Sequence, residues 1–272
     1  HANDERIFID LAIGNFCNLK CIMCSAAFST QWISDQQILV DNGFENKYAN
    51  TKNIKNTVIS KESIDKIINW IKIKEADVDI EIKGGEPLAL SITEYFLKEL
   101  AKLKNQITVV LVTNGTFFPD WLPKIAEKIH LKLSISIDGL HDVYDYVRVS
   151  DKYDFSQFDQ NVQKFTSISY QYLQFNFVVQ NSNVHNFYDC IDYFDRFYIN
   201  PIFLRSPSWL QVWNMPEESK ELVLNSLERI PLNYRSYQKI QSIIDNVKNE
   251  CNQQEYSSFI KFTALLDRER NK

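Results

Sequence analysis

The chain has 272 residues, 44% of them hydrophobic, enough for one large domain or two small ones around a real core. Its formal net charge of -5 and pI of about 5.5 argue against binding to a nucleic-acid backbone. No apolar run reaches membrane-spanning length, the start carries no signal-peptide pattern, and the five cysteines are an odd number, three of them in one short loop, which suits a reducing, cytoplasmic setting rather than a disulfide framework.

The chain opens at His1 rather than Met, which reads as a trimmed or tag-derived start. Arg6 to Ile13 reads as a buried strand. It runs into Gly14 and then Cys17-Asn18-Leu19-Lys20-Cys21-Ile22-Met23-Cys24. Ser25 to Tyr48 is mixed, with a possible helix over Thr30 to Leu39 and a turn at Asp41-Asn42-Gly43. Ser60 reads as an N-cap, and Ile64, Ile67, Ile68 and Ile71 mark one face of the helix behind it. Val78 to Ile82 is a short strand ending at Lys83-Gly84-Gly85-Glu86-Pro87, followed by a helix with Tyr95, Phe96 and Leu100 on its apolar side. Ile107 to Val112 is a strand ending at Thr113-Asn114-Gly115-Thr116, and Pro119 to Ile129 a helix. Leu131 to Ile137 is a strand ending at Asp138-Gly139; then come a polar, aromatic stretch with Arg148 and a helix from Phe155 to Ser167. Tyr172 to Val179 is a strand leaving through Gln180-Asn181-Ser182-Asn183 to a helix over Phe187 to Phe197. Pro201 to Leu204 is a sixth, short strand. Three amphipathic helices follow over Glu217–Leu227, Tyr234–Val247 and Tyr256–Leu266.

Short apolar strands alternating with helices imply an α/β fold with parallel pairing through right-handed crossovers. Strands covered on both faces read as near-continuous apolar runs. A doubly wound sheet and a barrel both fit this pattern. In either, ligands sit at the carboxyl ends of the strands. The cysteine loop, Gly84–Glu86, Asn114–Gly115, Asp138–Gly139 and Gln180–Asn181 all fall at such ends, and Leu204 to Ser206 closes the rim. Glycine is scarce, with six in all, and Gly84, Gly85, Gly115 and Gly139 each follow an apolar run. Glycine is used where backbone turns sharply or approaches a ligand closely.

Cys17, Cys21 and Cys24 can curl so that three sulfurs face one point, an arrangement that suits a soft metal or an iron–sulfur cluster. Either a distant residue supplies a fourth ligand, or that corner is open to something that is not protein. A structural zinc site would need a fourth Cys or His, and His1, His130, His141 and His185 pair with no ligand at zinc-like spacing. Glu86 is a carboxylate for a cation or a cap for the following helix. Asp138 is a site residue or a turn and cap residue. Ser134 reads as a small inward residue, and Cys190 and Cys251 as small hydrophobes. Trp209 and Trp213 either line a substrate mouth or pack.

Cys-x-x-x-Cys-x-x-Cys, followed one βα unit later by Gly-Gly-Glu-Pro, resembles the radical S-adenosylmethionine (radical SAM) superfamily, and the likeness runs over residues 6 to 206. It implies a partial (β/α)6 TIM-like barrel over 1–206 and a helical segment over 207–272 packed on it. It implies that Cys17, Cys21 and Cys24 hold a 4Fe-4S cluster whose open iron binds SAM. Gly84, Gly85 and Glu86 then receive the SAM amino group, and Arg148 its carboxylate, with a surface salt bridge as the alternative for Arg148. Ser136 and Asp138 lie near the ribose, Thr113, Asn114 and Gly115 at the end of the third strand, and Gln180 and Asn181 beside the adenine or ribose. Met23 stands where an aromatic residue commonly contacts adenine. Cys-Asn-Leu-Lys-Cys-x-Met-Cys, Thr-Asn-Gly-Thr and Ser-Ile-Asp-Gly are in the style of the SPASM and twitch branch, whose usual second cluster has no ligand set among the cysteines here. That branch implies a peptide or protein substrate and an electron donor such as flavodoxin or ferredoxin. A small-molecule substrate (a nucleotide, sugar or amino acid) is the alternative. From another class comes a non-catalytic iron–sulfur or zinc module for redox sensing or scaffolding.

Overall fold

The structure is a computed structural model that describes residues 6–44, 55–74, 76–235 and 237–270. His1 and the end of the mixed segment, at 45–48, lie outside the described residues. Six strands form one sheet: β1 (Ile7–Ala12), β2 (Val78–Lys83), β3 (Ile107–Thr113), β4 (His130–Ser136), β5 (Tyr172–Val179) and β6 (Tyr198–Phe203). Every neighbouring pair is parallel, and the strands lie side by side in chain order. A doubly wound sheet reverses its order part-way across. This one never reverses, so the architecture is the open partial barrel.

The strand pattern explains which face is which. Val78, Ile80 and Ile82 of β2, and Leu173, Phe175, Phe177 and Val179 of β5, are buried. They share a core with the helices α2 (Lys61–Lys74), α3 (Ser91–Leu100), α4 (Leu122–Ala126), α5 (His141–Val147), α6 (Phe155–Ser167) and α7 (Phe187–Tyr193), whereas α1 (Ile33–Asp41) packs elsewhere. The alternate residues form the inner wall. The near-continuous apolar runs expected of doubly covered strands hold for β3 but not for this wall, which is polar in β2, β4 and β5. Lys83 Nζ pairs with Asp10 at 2.7 Å and Glu81 at 3.2 Å. Ser134 Oγ accepts from Asn176 Nδ2 at 2.8 Å and Gln174 Nε2 at 3.2 Å.

Several boundaries differ from the sequence-based expectation, among them those of the last two helices, which run over Tyr237–Val247 and Gln253–Arg270 rather than Tyr234–Val247 and Tyr256–Leu266. β6 begins at Tyr198 rather than Pro201. Proline lacks an N–H but is tolerated on an edge strand, and Pro201 pairs with Phe177 at that edge. The earlier start of β6 also ends α7 at Tyr193 instead of Phe197. Helix α4 covers five residues rather than Pro119 to Ile129, because the chain turns at both ends before entering β4. The stretch before Arg148 is helical: Leu140, Tyr144 and Val147 are buried at helical spacing.

Helices α8 (Glu217–Leu227), α9 (Tyr237–Val247) and α10 (Gln253–Arg270) follow the sheet. Val223, Leu227, Ile240, Ile243 and Val247 join the main core. The Tyr234 hydroxyl accepts from Ile199 N at 2.9 Å and donates to Ile199 O at 3.1 Å, covering part of the free edge of β6. In α10, Phe262, Leu265 and Leu266 pack with Trp32, Leu39, Phe44 and Leu210 in a second core. Each of these side chains stabilises by roughly 1.5–3 kcal/mol on burial. Trp209 belongs to this second core and Trp213 to the edge of the first, so both pack. Cys190 is fully buried in the main core, whereas Cys251 is half-buried. Among the described residues no helix is long and apolar enough to cross a membrane.

Candidate active site

The cysteine loop leaves β1 through Ile13, whose N–H reaches Lys83 O at 2.8 Å, and is then held from every side. Lys20 N donates to Val149 O at 2.8 Å and Ile22 N to Val147 O at 2.9 Å, docking the loop on the segment after α5. Trp32 Nε1 donates to Cys21 O at 2.9 Å and Ser29 Oγ to Leu19 O at 2.7 Å. Trp32 in turn lies under the Arg270 guanidinium, 4.9 Å from the ring centroid, and Arg270 Nε pairs with buried Asp35 at 2.8 Å. The last turn of α10 thus buttresses the loop from 250 residues downstream.

Cys17, Cys21 and Cys24 cluster here. Burial pushes the Cys17 thiol up to about 12, and does the same to Cys24; it raises Cys21 as well, with Arg148 opposing. Metal ligands of this kind must be thiolates, so assembly of a metal centre here releases protons. Among the described residues, no three His, Cys, Asp or Glu side chains are gathered tightly enough for a single metal ion. A cubane cluster takes each thiolate on a different iron and so asks for wider spacing than a single ion. Three thiols with no fourth Cys, His, Asp or Glu grouped with them among the described residues fit such a cluster with one open corner.

The second-strand exit presses against the loop. Gly84 and Gly85 have φ of 95° and 52°. A Cβ on Gly85 would lie 2.1 Å from Phe16 O, so only glycine allows this approach. Glu86 N donates to Phe16 O at 2.7 Å. The Glu86 side chain is fully buried. Its Oε1 accepts from Leu88 N at 3.0 Å and Thr113 Oγ1 at 2.8 Å, and its Oε2 from Asn114 N at 2.7 Å. It both caps the following 3-10 turn and ties the exits of β2 and β3 together. Burial raises it to about 7 against those three donors.

Asn114 continues the network. Its Nδ2 donates to Asn18 Oδ1 at 2.9 Å and to Cys17 Sγ at 3.6 Å, while its Oδ1 accepts from Thr116 N and Oγ1. Asn18 closes the ring onto Thr116 at 2.8 Å. Asp138 and Arg148 form a buried ion pair, Nε to Oδ2 at 2.7 Å. Asp138 Oδ1 accepts from Val178 N at 2.7 Å, and Arg148 Nη1 donates to Cys21 Sγ at 3.7 Å. Burial lifts Asp138 to about 6, with Arg148 opposing. Ser136 is half-buried and pairs in register with Asn176. Gln180 is fully buried, and neither its Oε1 nor its Nε2 finds a partner among the described residues. A buried amide left unpaired in this way is costly and points to a polar ligand. Asn181 Nδ2 donates to Trp209 O and Asn214 O, both at 2.9 Å, and so anchors the loop behind β6.

Met23 lines a cavity of about 920 Å³ with Phe28, Ile202, Leu204 and Arg205, between the cysteine loop and the end of β6. The sequence-predicted residues thus fall into two groups. Met23, Gly84, Gly85, Glu86, Asn114, Asp138 and Arg148 belong to the cysteine loop or bear on it and its immediate supports, while Ser136, Gln180 and Asn181 lie further round the rim. Asn18, Trp32, Asp35, Thr116 and Arg270 were not singled out from sequence. Asn18 lies inside the cysteine motif and Thr116 inside the Thr-Asn-Gly-Thr strand exit, so both were readable as loop polar residues, but Trp32, Asp35 and Arg270 carry no local signal.

The radical SAM superfamily model matches residues 11–193. The GTP 3',8-cyclase of Sulfurovum sp. (strain NBC37-1) is 24% identical over 133 residues, covering 49% of this chain and 34% of that protein. The GTP 3',8-cyclase of Petrotoga mobilis (strain DSM 10674 / SJ95) is 21% identical over 245 residues, covering 84% of this chain and 67% of that one. Among solved structures, anSMEcpe with bound AdoMet superposes with a TM-score of 0.60 at 17% identity, over 82% of this chain and 57% of that one. Streptococcus suis SuiB bound to precursor peptide SuiA superposes with a TM-score of 0.54 at 13% identity, over 92% and 48% respectively. The chain spans about a third of the length of the first of these cyclases and somewhat over half of anSMEcpe.

Proposed function

This chain belongs to the radical SAM superfamily, and on that premise we propose that it is an enzyme in which Cys17, Cys21 and Cys24 hold a 4Fe-4S cluster. When bound, the cluster and SAM supply the chemistry: one electron from a donor such as flavodoxin or ferredoxin cleaves SAM, and the resulting 5′-deoxyadenosyl radical abstracts hydrogen from a substrate. The observation that carries this reading is the three-thiol set with an open fourth corner, held by the strand exits of a partial barrel.

The protein's own contribution is positioning. Glu86 fixes the β2 and β3 exits against each other, and Gly84–Gly85 let that corner close on the cysteine loop. Asn114 and Arg148 donate to two of the three sulfurs. Three of the roughly four acceptor positions of Glu86 are used inside the protein, which leaves one on Oε2 for the SAM amino group that Gly84, Gly85 and Glu86 are read to receive. The unpaired Gln180 amide is the polar group on the rim best suited to read a heterocycle edge. Met23 supplies an adaptable apolar surface on the cavity beyond the cysteine loop.

The substrate enters over Met23, into the cavity between the cysteine loop and the β6 exit. A cavity of about 920 Å³ suits a peptide segment. AnSMEcpe has been solved with a bound Cp18Cys peptide and SuiB with precursor peptide SuiA, which is in keeping with this choice. A small polar molecule is the second reading, favoured by the inner wall of Ser134, Gln174, Asn176 and Asn200, whose amides and hydroxyl interlock. Residues 1–206 are read as the catalytic core and 207–272 as a helical segment that braces it.

Reconstitution with iron and sulfide tests the ligand assignment. The full chain should bind about four irons and show an electron paramagnetic resonance signal, once reduced, that changes shape when SAM is added. Alanine at Cys17, Cys21 or Cys24 should abolish it. A chain that binds a single zinc, or a cluster indifferent to SAM, would return the reading to a non-catalytic module.

A further inference from the structure

The three cysteine sulfurs sit in different electrostatic surroundings. Cys24 Sγ meets a backbone carbonyl, that of Ser25 at 3.6 Å. Cys17 Sγ receives a neutral amide, Asn114 Nδ2, at 3.6 Å. Cys21 Sγ receives a guanidinium, Arg148 Nη1, at 3.7 Å. That contact is built in. The backbone bonds Lys20 N to Val149 O and Ile22 N to Val147 O flank Cys21 on one side and Arg148 on the other, so the two residues face each other. Arg148 is 6% exposed, and its Nε is pinned at 2.7 Å by fully buried Asp138. Asp138 is itself fixed by Val178 N at 2.7 Å. The cation therefore stands between its carboxylate and the cysteine, with the positive end against the sulfur.

We infer that the Asp138–Arg148 pair sets the reduction potential of the cluster held by Cys21. Reduction adds one electron, delivered by an external one-electron donor, and hence one negative charge beside the Cys21 sulfur. A guanidinium hydrogen-bonded to that sulfur stabilises the added charge, and a carboxylate behind the guanidinium offsets part of the effect. Arg148 thus makes the first electron easier to accept, and Asp138 limits by how much. This inference rests on the cluster ligation proposed above and goes beyond it, because it gives the pair a role in electron uptake rather than in holding SAM.

The test is a redox titration of the reconstituted full chain with dithionite, followed optically and by electron paramagnetic resonance. Arg148→Gln should lower the equilibrium constant for reduction at least tenfold, a fall of 59 mV for one electron. Asp138→Asn, which leaves the cation uncompensated, should raise the potential, and Arg148→Lys should fall between Arg148→Gln and the parent. Opposite shifts from the two halves of one ion pair are the signature, since a merely structural role would not give them. Variants that load the cluster and titrate with the parent, or shift in the same direction, would overturn the inference and leave ligation intact. A parent chain that takes up no cluster would sink the ligation reading and this inference with it. If Arg148→Gln fails to load, Asp138→Asn and Arg148→Lys decide the matter.

Discussion

Glu86 Oε2 accepts the backbone N–H of Asn114 at 2.7 Å, so a single buried carboxylate joins the exits of two adjacent strands directly beneath the cysteine loop. Truncating it leaves three donors without an acceptor, those of Leu88, Thr113 and Asn114. Each buried donor left unpaired costs about 1–3 kcal/mol. Glu86→Ala should therefore lose several kcal/mol in denaturant unfolding of the apo chain. Glu86→Gln, which keeps one acceptor oxygen, should lose less. Equal stability of Glu86→Ala and the parent would contradict the clamp.

The same carboxylate gives the apo protein a pH signature. Burial raises Glu86 from 4.5 to about 7, so between those values the folded chain holds a proton that the unfolded chain has released. Stability then falls as pH rises through that window, by about 3 kcal/mol in all, and levels off above it. Asp138, raised by burial to about 6, acts in the same direction. Unfolding midpoints of the apo chain taken from pH 4.5 to 8 should show the decline, and Glu86→Gln should flatten much of it. A parent chain that gains stability across this window would be incompatible with the burial argument.

Glycine substitutions separate backbone strain from close approach. Gly43 and Gly85 both have positive φ, but a Cβ on Gly43 meets nothing nearer than Lys261 Nζ at 3.8 Å, whereas on Gly85 it meets Phe16 O at 2.1 Å. Gly43→Ala should cost about 1–2 kcal/mol of stability from strain alone and leave iron uptake unchanged. Gly85→Ala should displace the cysteine loop and cut iron uptake on reconstitution well below the parent. Parallel iron content in the two variants would show that the Gly85 contact does not matter.

How much of this was legible in the sequence depends on the range of the interaction. The strands were readable because short, β-branched apolar runs end at glycine or polar turns, and the cysteine loop because its three ligands are close in the chain. The order of the strands was not, since a doubly wound sheet and a barrel share one βα alternation. The contact of Arg148 with the cysteine loop was also hidden. Arg148 is recognisable as a charged residue after β4, but its partner sulfur, Cys21, lies 127 positions away. Arg270 is more extreme, with Asp35 at a separation of 235. Glu86 offered a cap or a ligand from sequence, and the structure uses its oxygens for the cap and a cross-strand clamp.

That distant brace is testable by itself. Both side chains of the Arg270–Asp35 pair are 5% exposed, and removing one partner of a buried pair costs about 3–5 kcal/mol. Lys20 Nζ at 3.4 Å from Asp35 softens the loss. Arg270→Ala should lower stability by about 2–4 kcal/mol and, because Trp32 under that guanidinium holds Cys21 O, slow cluster uptake. Unfolding and iron-uptake rates of the variant check both. A variant destabilised but loading iron at the parent's rate would confine Arg270 to packing.

The most direct measurement of the central claim is 5′-deoxyadenosine formation. The reconstituted chain is reduced anaerobically with dithionite, given SAM and assayed for the nucleoside, with Cys21→Ala as control. The account predicts product from the parent chain and none from the control. A reconstituted, reduced cluster that leaves SAM intact would contradict it.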